Sequence, residues 1–424
     1  MLDIKYVREN PDLVRDAIVK KGLNVDLDQV LELDVSSRGL NARLQTLQAE
    51  RNAMSRRTGP APVGDGGQRE AAREIGERVS VLKQELADVT DKLRALQLLL
   101  PTSPAADAPI GPDADSNVVV RTWGDPPPPD PRRDHVDIAT ANNWLDLKRV
   151  AKISGSRSYI VKNDLLRLEM ALHAAALDRL SADGFTIMSA PALVKEECLV
   201  GTGHFPAGRE DIYDLPRDGL FLAGTAEVAI NSLYAGETLD HSELPLLFAG
   251  ISPCFRREAG SAGRDVRGLL RVHQFWKVEQ FVFCEADVAA SDALHVRILE
   301  NAESLMRDLQ LPYRVVACST GDMGAGKYRM HDIEAWMPSL NTYRETHSCS
   351  SLLDWQSRRT NTRYKDRSGA LRFPYTLNNT AIATPRVLAA FLEIHWRPDG
   401  SVAIPSYLQK FMHGATKIEG KSRL

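Results

Sequence analysis

The sequence has 424 residues, with 53 Lys or Arg against 56 Asp or Glu, a net charge of −3, and is 43% hydrophobic and 26% charged. At roughly 150 residues per domain the length accommodates two or three domains, and the composition is that of a folding chain rather than a disordered one. The near-neutral charge argues against a generally adhesive nucleic-acid binder, while leaving room for a local site.

The opening MLDIKYVREN has no apolar core behind a basic cluster and is too acidic for a transit peptide. Over residues 26–100 the pattern becomes regular. Ile75, Val79, Leu82, Leu86, Val89, Leu93 and Leu96 are spaced 4, 3, 4, 3, 4, 3, a heptad seam. A looser seam precedes it, with Val30, Leu33, Leu40, Leu44, Leu47 and Met54 in one register and Ser37 and Arg51 interrupting. Between the seams, TGPAPVGDGG at 58–67 is rich in helix breakers. Two heptad helices around a short breaker loop predict an antiparallel hairpin, each helix on the order of 40–45 Å long. Such a hairpin serves dimerisation or bundle formation in one reading. In the other, Arg51, Arg56 and Arg57, with no acid among them, make a basic tip suited to a phosphate backbone.

Residues 101–135 are a Pro- and Asp-rich linker ending in DPPPPDP, a stiff spacer, with one short strand expected at 117–124. From about 136 the texture is mixed. An amphipathic helix is predicted at 164–182, and strand-like runs at 246–256, 270–283 and 313–318. Strands returning through loops with helices between them predict an α+β domain around an antiparallel sheet. No run approaches the ~18 apolar residues of a membrane helix. Five cysteines, at 198, 254, 284, 318 and 349, are odd in number and far apart, which argues against a disulfide framework and for a reduced, cytoplasmic setting.

Three motif matches fail on inspection. GDMGAGKY at 321–328 has Tyr328 where a phosphate loop needs a Mg²⁺-binding Ser or Thr. Gly201 and Gly203 lack the third glycine of a dinucleotide fingerprint. His347 and Cys349 have no second pair to complete a zinc site. The informative stretch is CFRREAGSAGRDVRGLLRVHQFWKVEQF at 254–281. Alternation along its second run places Arg271, His273, Phe275, Lys277 and Glu279 on one face and Val272, Gln274, Trp276 and Val278 on the other. Arg264 and Arg267 lie in a glycine-bearing loop between the runs. Arginine forks beside an aromatic ring suit a nucleotide, the forks for phosphates and the ring for the base.

With this stretch, the chain resembles the seryl-tRNA synthetases, class II aminoacyl-tRNA synthetases. The resemblance runs through the opening MLDIKYVRENPDLVRDAI, the helical hairpin, GTGHFP at 201–206 and TAE at 225–227. It continues through FRREAGSAGRDVRGLLR, NTYRETHSCS at 341–350 and LNNTAIATPR at 377–386. It implies a tRNA-binding arm domain at 1–115 and a catalytic domain at 116–424. It also implies ATP-dependent activation of L-serine and transfer to tRNA(Ser), with tRNA(Sec) a second substrate where the cell makes one. A homodimer is implied through Pro191, which follows GFTIMSA. The alternative is a specialised second copy, inhibitor-tolerant or loading a non-tRNA carrier.

Residue by residue, the resemblance makes Arg256, Glu279 and Arg386 catalytic. Arg256 would bridge the serine carboxylate and the α-phosphate, and Arg386 would meet the γ-phosphate. Thr225, Ala226, Glu227, Arg256, Glu279, Asn378 and Thr380 would hold serine. ATP would lie against Arg256, Arg257, Glu258, Arg271, Val272, Phe275, Glu345, Thr346, His347, Ser348 and Arg386, with Phe275 under adenine and Glu345 and Ser348 on Mg²⁺. Simple alternation puts 345 and 348 on opposite faces, so a bulge or strand end is expected between them. For Arg386 the local pattern agrees: Thr384 is expected to N-cap a helix with Pro385 first, leaving Arg386 in an anion-favouring first turn. Departures from the family pattern stand at LNNTA…TPR, at Thr346–His347–Ser348, and at Gly224 before TAE.

Overall fold

The structure is a computed structural model that describes residues 1–57, 66–259 and 267–420. The chain divides into two compact units, Met1–Val19 with Leu23–Ser103, and Lys20–Gly22 with Pro104–Leu424.

The first unit is helical. Short helices Ile4–Glu9 and Pro11–Lys20 precede α1 (Leu27–Arg57) and α2 (Gly66–Gln97). The heptad reading holds in the packing. Leu44, Leu47, Val79 and Leu82 form a buried cluster, with Leu40, Ile75 and Leu86 partly buried against it. Near the base of α1, Asp34 is buried and accepts from Arg8 Nε at 2.9 Å and Arg38 Nε at 3.0 Å. Gln97 Nε2 donates to the Leu2 carbonyl at 2.7 Å, closing the end of α2 onto the chain start. Most of the expected breaker loop at 58–67 and the side chains of Arg56 and Arg57 lie outside the described residues, while Gly66 and Gly67 begin α2.

The second unit is built on an eight-stranded sheet. The eight strands of this sheet and four of the unit's helices are, in chain order, β1 (Val118–Trp123), α3 (Asp164–Ala182), β2 (Thr186–Ser189), α4 (Glu227–Asn231), β3 (Leu246–Phe255), β4 (Gln274–Cys284), α5 (Val288–Asp308), β5 (Tyr313–Ala317), β6 (Arg329–Met337), β7 (Thr342–Leu353), β8 (Tyr375–Ala383) and α6 (Thr384–His395). The spatial order is β1-β5-β6-β7-β8-β4-β3-β2, antiparallel except for β2 beside β3. This is the α+β architecture the strand and helix pattern predicts.

One face of the sheet is covered by helices. Leu168 and Leu172 of α3, Ile298 and Leu305 of α5 and Leu388 and Phe391 of α6 share a core with Val278 and Val282 of β4 and Ile333 of β6. Each such side chain contributes on the order of 1.5–3 kcal/mol on leaving water. Gln280 of β4 and Asn379 of β8, partners across the two strands, both donate to the Ile298 carbonyl of α5, at 2.9 and 2.6 Å. Their sequence neighbours Glu279 and Thr380 are likewise register partners and point to the opposite face, where α4 packs. Gly250 of β3 lets α4 approach: a Cβ there would come within 2.6 Å of Ile230 and 3.1 Å of Ala226.

Two details differ from the sequence reading. The strand begins at Gln274 rather than 270, so Arg271, Val272 and His273 precede it and do not alternate with it. Val272 accordingly packs with Phe275 and Cys254 on the same side, not opposite. Helix α6 is capped by Ala383, with Thr384 its first residue and Pro385 its second. The Thr384 hydroxyl is drawn away from capping by Glu169, at 2.9 Å, and the Trp276 carbonyl, at 3.1 Å. All five cysteines are unpaired, as expected from their spacing.

Candidate active site

The site lies on the sheet face opposite the helices, where β4, β7 and β8 run side by side. A cavity of about 70 Å³ is lined by Arg256, Glu258, Arg271, Val272, Phe275, Lys277, Glu345, Thr346, Thr380 and Arg386 among others. Cations dominate this lining, which suits a polyanion.

Arg256 follows the end of β3. Its Nε donates to the Gly224 carbonyl at 3.4 Å, and its guanidinium carbon stands 5.2 Å from the centre of the Phe275 ring. A planar cation over an aromatic ring is held in orientation without spending its remaining donors. Phe275 is backed by Cys254 and Val272. Arg271 forms an ion pair with Glu258. On α6, Arg386 donates from Nε to the Leu270 carbonyl at 3.0 Å and from a terminal nitrogen to the Glu345 carbonyl at 2.8 Å and carboxylate at 3.1 Å. Although Thr384 is not its cap, Arg386 still stands in the first turn.

Deeper in, alternation along β4 holds: Phe275, Lys277 and Glu279 are buried, while Trp276 is 42% exposed. Lys277 pairs with Glu279 and donates to Thr225 Oγ1 at 2.8 Å. The Glu227 backbone N–H also donates to that hydroxyl, at 3.2 Å, and Gln356 Nε2 donates to the Glu227 carboxylate at 2.7 Å. Burial raises the Glu279 carboxyl above its ordinary range; Lys277 pulls it back, and Glu227 adds to the rise. Thr380 and Asn378, both buried, share the Glu279 face of β8. The result is a small polar socket with a carboxylate, an ammonium and hydroxyls.

The expected bulge is present. Ile333 pairs with His347 and Glu334 with Glu345, so Thr346 is the extra residue in β7. This brings Glu345 and Ser348 to one face. A second bulge lies in β8, where Val278 pairs with Ile382 and Glu279 with Thr380, leaving Ala381 extra. His347 lies between the two, its Nε2 3.1 Å from the Ala381 carbonyl and its Nδ1 2.8 Å from the Thr346 hydroxyl. Burial lowers its imidazole to about 4, so the ring is neutral. Of the residues expected at ATP, the structure thus puts Thr346 in the cavity lining and turns His347 toward the neighbouring strand. Arg257 is exposed outside the lining, its backbone N–H bonded to the Asp211 carbonyl at 3.0 Å. Arg51, expected at tRNA, is exposed on α1.

A second recess of about 280 Å³ shares Arg271, Glu345 and Arg386 with the first and adds Asp332, Glu334 and Arg344. Asp332 is the register partner of Ser348. Burial and the neighbouring Glu345 push the Asp332 carboxyl up to about 8. Burial pushes Glu345 up too, but Arg386, with Arg256 and Lys327, outweighs it and leaves Glu345 low. Asp332 Oδ1 is buried and has no hydrogen-bond partner among the described residues. Glu345, Ser348 and Asp332 offer oxygen donors of the kind a hard divalent cation such as Mg²⁺ takes, and the Asp332 carboxylate also lies within 4.8 Å of Asp322 and of the Cys318 thiol, a donor such a cation does not favour.

Comparison with known proteins decides the family. Residues 1–104 match the seryl-tRNA synthetase N-terminal domain, and residues 213–395 the tRNA synthetase class II core domain (G, H, P, S and T). The chain is 50% identical to the serine--tRNA ligase of Deinococcus radiodurans over 98% of each sequence. The chain belongs to the seryl-tRNA synthetase family. Its fold superimposes on seryl-tRNA synthetase from Pyrococcus horikoshii complexed with ATP at TM-score 0.89 and 37% identity, covering 99% of this chain and 100% of that one. Cytoplasmic serine-tRNA ligase from Naegleria fowleri in complex with AMP gives 0.87 and 29% identity, covering 100% and 99%. No described helix is long and apolar enough to cross a membrane.

Sequence reasoning gave no role to Lys277, Gln356 or Asp332. Lys277 was within reach of it, since alternation puts a lysine beside Glu279. Gln356 and Asp332 come from distant strands and turns and carry no local signal.

Proposed function

We propose that this seryl-tRNA synthetase family member activates L-serine with ATP and transfers the serine to tRNA(Ser). In the first step a serine carboxylate oxygen attacks the α-phosphorus and pyrophosphate leaves. In the second the 3′-terminal ribose hydroxyl of tRNA attacks the carbonyl carbon and AMP leaves. The observation that carries this reading is one sheet face bearing the Glu279–Thr380 pair beside the arginine-lined cavity, so a small hydroxylated amino acid can sit against a nucleotide.

In this proposal Arg256, fixed over Phe275, meets both the serine carboxylate and the α-phosphate, lowering the repulsion between two anions that must meet. Phosphoryl chemistry of this kind needs positioning and charge neutralisation rather than a protein nucleophile. Glu279, held ready by Lys277, takes the serine ammonium and hydroxyl, with Thr225, Glu227, Asn378 and Thr380 around them. A socket built to hydrogen-bond a hydroxyl rejects alanine, because its own polar groups would be left unpaired. Arg386 exchanges Glu345 for the γ-phosphate. Mg²⁺ at Glu345 and Ser348 supplies further charge neutralisation of the triphosphate.

Residues 116–424 carry the chemistry and the hairpin within 1–115 serves tRNA, although residues 104–115 belong to the second compact unit rather than to the helical one. Matches to both the N-terminal and core domains favour tRNA charging over loading of another carrier. A homodimer is supported by exposed Leu166 and Met170 on α3 and Ile187 on β2, the edge strand of the sheet. We place the enzyme in the cytoplasm, where its tRNA is. The test is charging of tRNA(Ser) and tRNA(Sec) with labelled serine, by the full chain and by a form lacking 26–100. Charging by the full chain, lost on deletion while adenylate formation persists, is expected. Unchanged charging after deletion would remove the arm from tRNA binding.

A further inference from the structure

The residue least explained by the proposed reaction is Asp332. It is 6% exposed, on β6, and faces the recess that contains Glu345 and Arg386. Interiors seldom retain a carboxylate oxygen without a partner, and Asp332 Oδ1 has none among the described residues. The bulge at Thr346 is what brings Ser348 opposite Asp332 in register. Opposed residues on neighbouring antiparallel strands present their side chains on the same face, roughly 4.5–5.5 Å apart at Cβ. A hydroxyl has one proton. If the Ser348 hydroxyl donates its hydrogen bond to Asp332, the lone pairs of Ser348 Oγ are left for a cation. Glu345, one bulge away on the same strand, brings the other carboxylate.

We propose that Asp332 is a positioning residue of the divalent-cation site: ionised beside the bound cation, it orients Ser348 by accepting a hydrogen bond from its hydroxyl, and its free Oδ1 holds a water of the cation's shell. This rests on the reading of Glu345 and Ser348 as cation ligands. A carboxylate behind a ligand typically changes metal affinity 10–100-fold when removed. Asp332 would act without touching serine or the nucleotide. Its loss should therefore alter the metal requirement rather than the serine requirement.

The experiment uses the full chain with Mn²⁺ as an electron-paramagnetic-resonance probe in the presence of ATP, alongside serine-dependent pyrophosphate exchange titrated with Mg²⁺. Asp332→Asn is expected to weaken Mn²⁺ binding and raise the Mg²⁺ requirement about 10-fold or more, with the serine KM unchanged and exchange recovering at high Mg²⁺. Ser348→Ala should weaken Mn²⁺ binding as well. The double variant should be no worse than the poorer single one, because Asp332 works through Ser348. Asp332→Glu, read in the same titrations, substitutes if the Asn variant does not fold, and should restore part of the affinity through its carboxylate. Asp332→Asn titrating like wild type while Glu345→Gln is weakened would overturn the role of Asp332 alone. So would strict additivity with Ser348→Ala. If the wild type binds Mn²⁺–ATP no more tightly than Glu345→Gln does, the ligand reading itself fails and the proposal with it.

Discussion

His347 Nε2 donates to the Ala381 carbonyl at 3.1 Å and so ties the bulge of β7 to the bulge of β8. One bulge sets Glu345 and Ser348, and the other lies next to Thr380. The proposed nucleotide side and the proposed serine side of the site therefore share one fastening.

Replacing His347 with Ala leaves a buried carbonyl without its donor, a cost of about 1–3 kcal/mol. KM for ATP and KM for serine should rise together, by several-fold each, measured by pyrophosphate exchange. A rise in only one would show that the bulges move independently.

The two-part organisation was legible because its signals are local and periodic. The heptads of α1 and α2, the helix at 164–182 and the strands β3 and β5 follow from spacing alone. The bulge between 345 and 348 is demanded only by the family resemblance, which asks Glu345 and Ser348 to share a face, because its cause is the pairing of β7 with β6. Thr384 shows the opposite failure. Its N-cap propensity is real, yet Glu169, 215 residues away in sequence, takes the hydroxyl. Asp332 and Gln356 are invisible locally for the same reason: their partners come from other strands and turns.

Lys277 is 5% exposed and Glu279 2%, and they neutralise each other. Lys277→Met strands a buried carboxylate and should destabilise the catalytic unit by about 3–5 kcal/mol. It should also raise KM for serine, since Thr225 loses its Lys277 donor. Thermal melts and serine titrations measure the two effects. A variant that melts like wild type would mean that Glu279 is protonated in the resting protein.

Acid should weaken the fold. Burial lowers His173, His204, His331, His347 and His395 to about 4 and His295 to about 3. Between pH 6.5 and about 4 the unfolded chain therefore binds protons at these positions that the folded chain refuses, and stability falls as pH falls. Buried Glu169, Glu279 and Asp332 are pushed up and act in the opposite sense. The histidines outnumber them, so the melting temperature should drop from pH 7.5 to pH 5. A melting temperature that is flat or rises toward pH 5 would contradict this balance.

The central claim is that Arg256 over Phe275, with the Glu279–Thr380 pair beside them, activates serine. The direct measurement is ATP–pyrophosphate exchange with each of the twenty amino acids, on the wild type and on Arg256→Ala. Exchange with serine above all others, falling by 100-fold or more in the variant, on the order of what one transition-state donor contributes, is the predicted result. Exchange with a different amino acid and none with serine would contradict it.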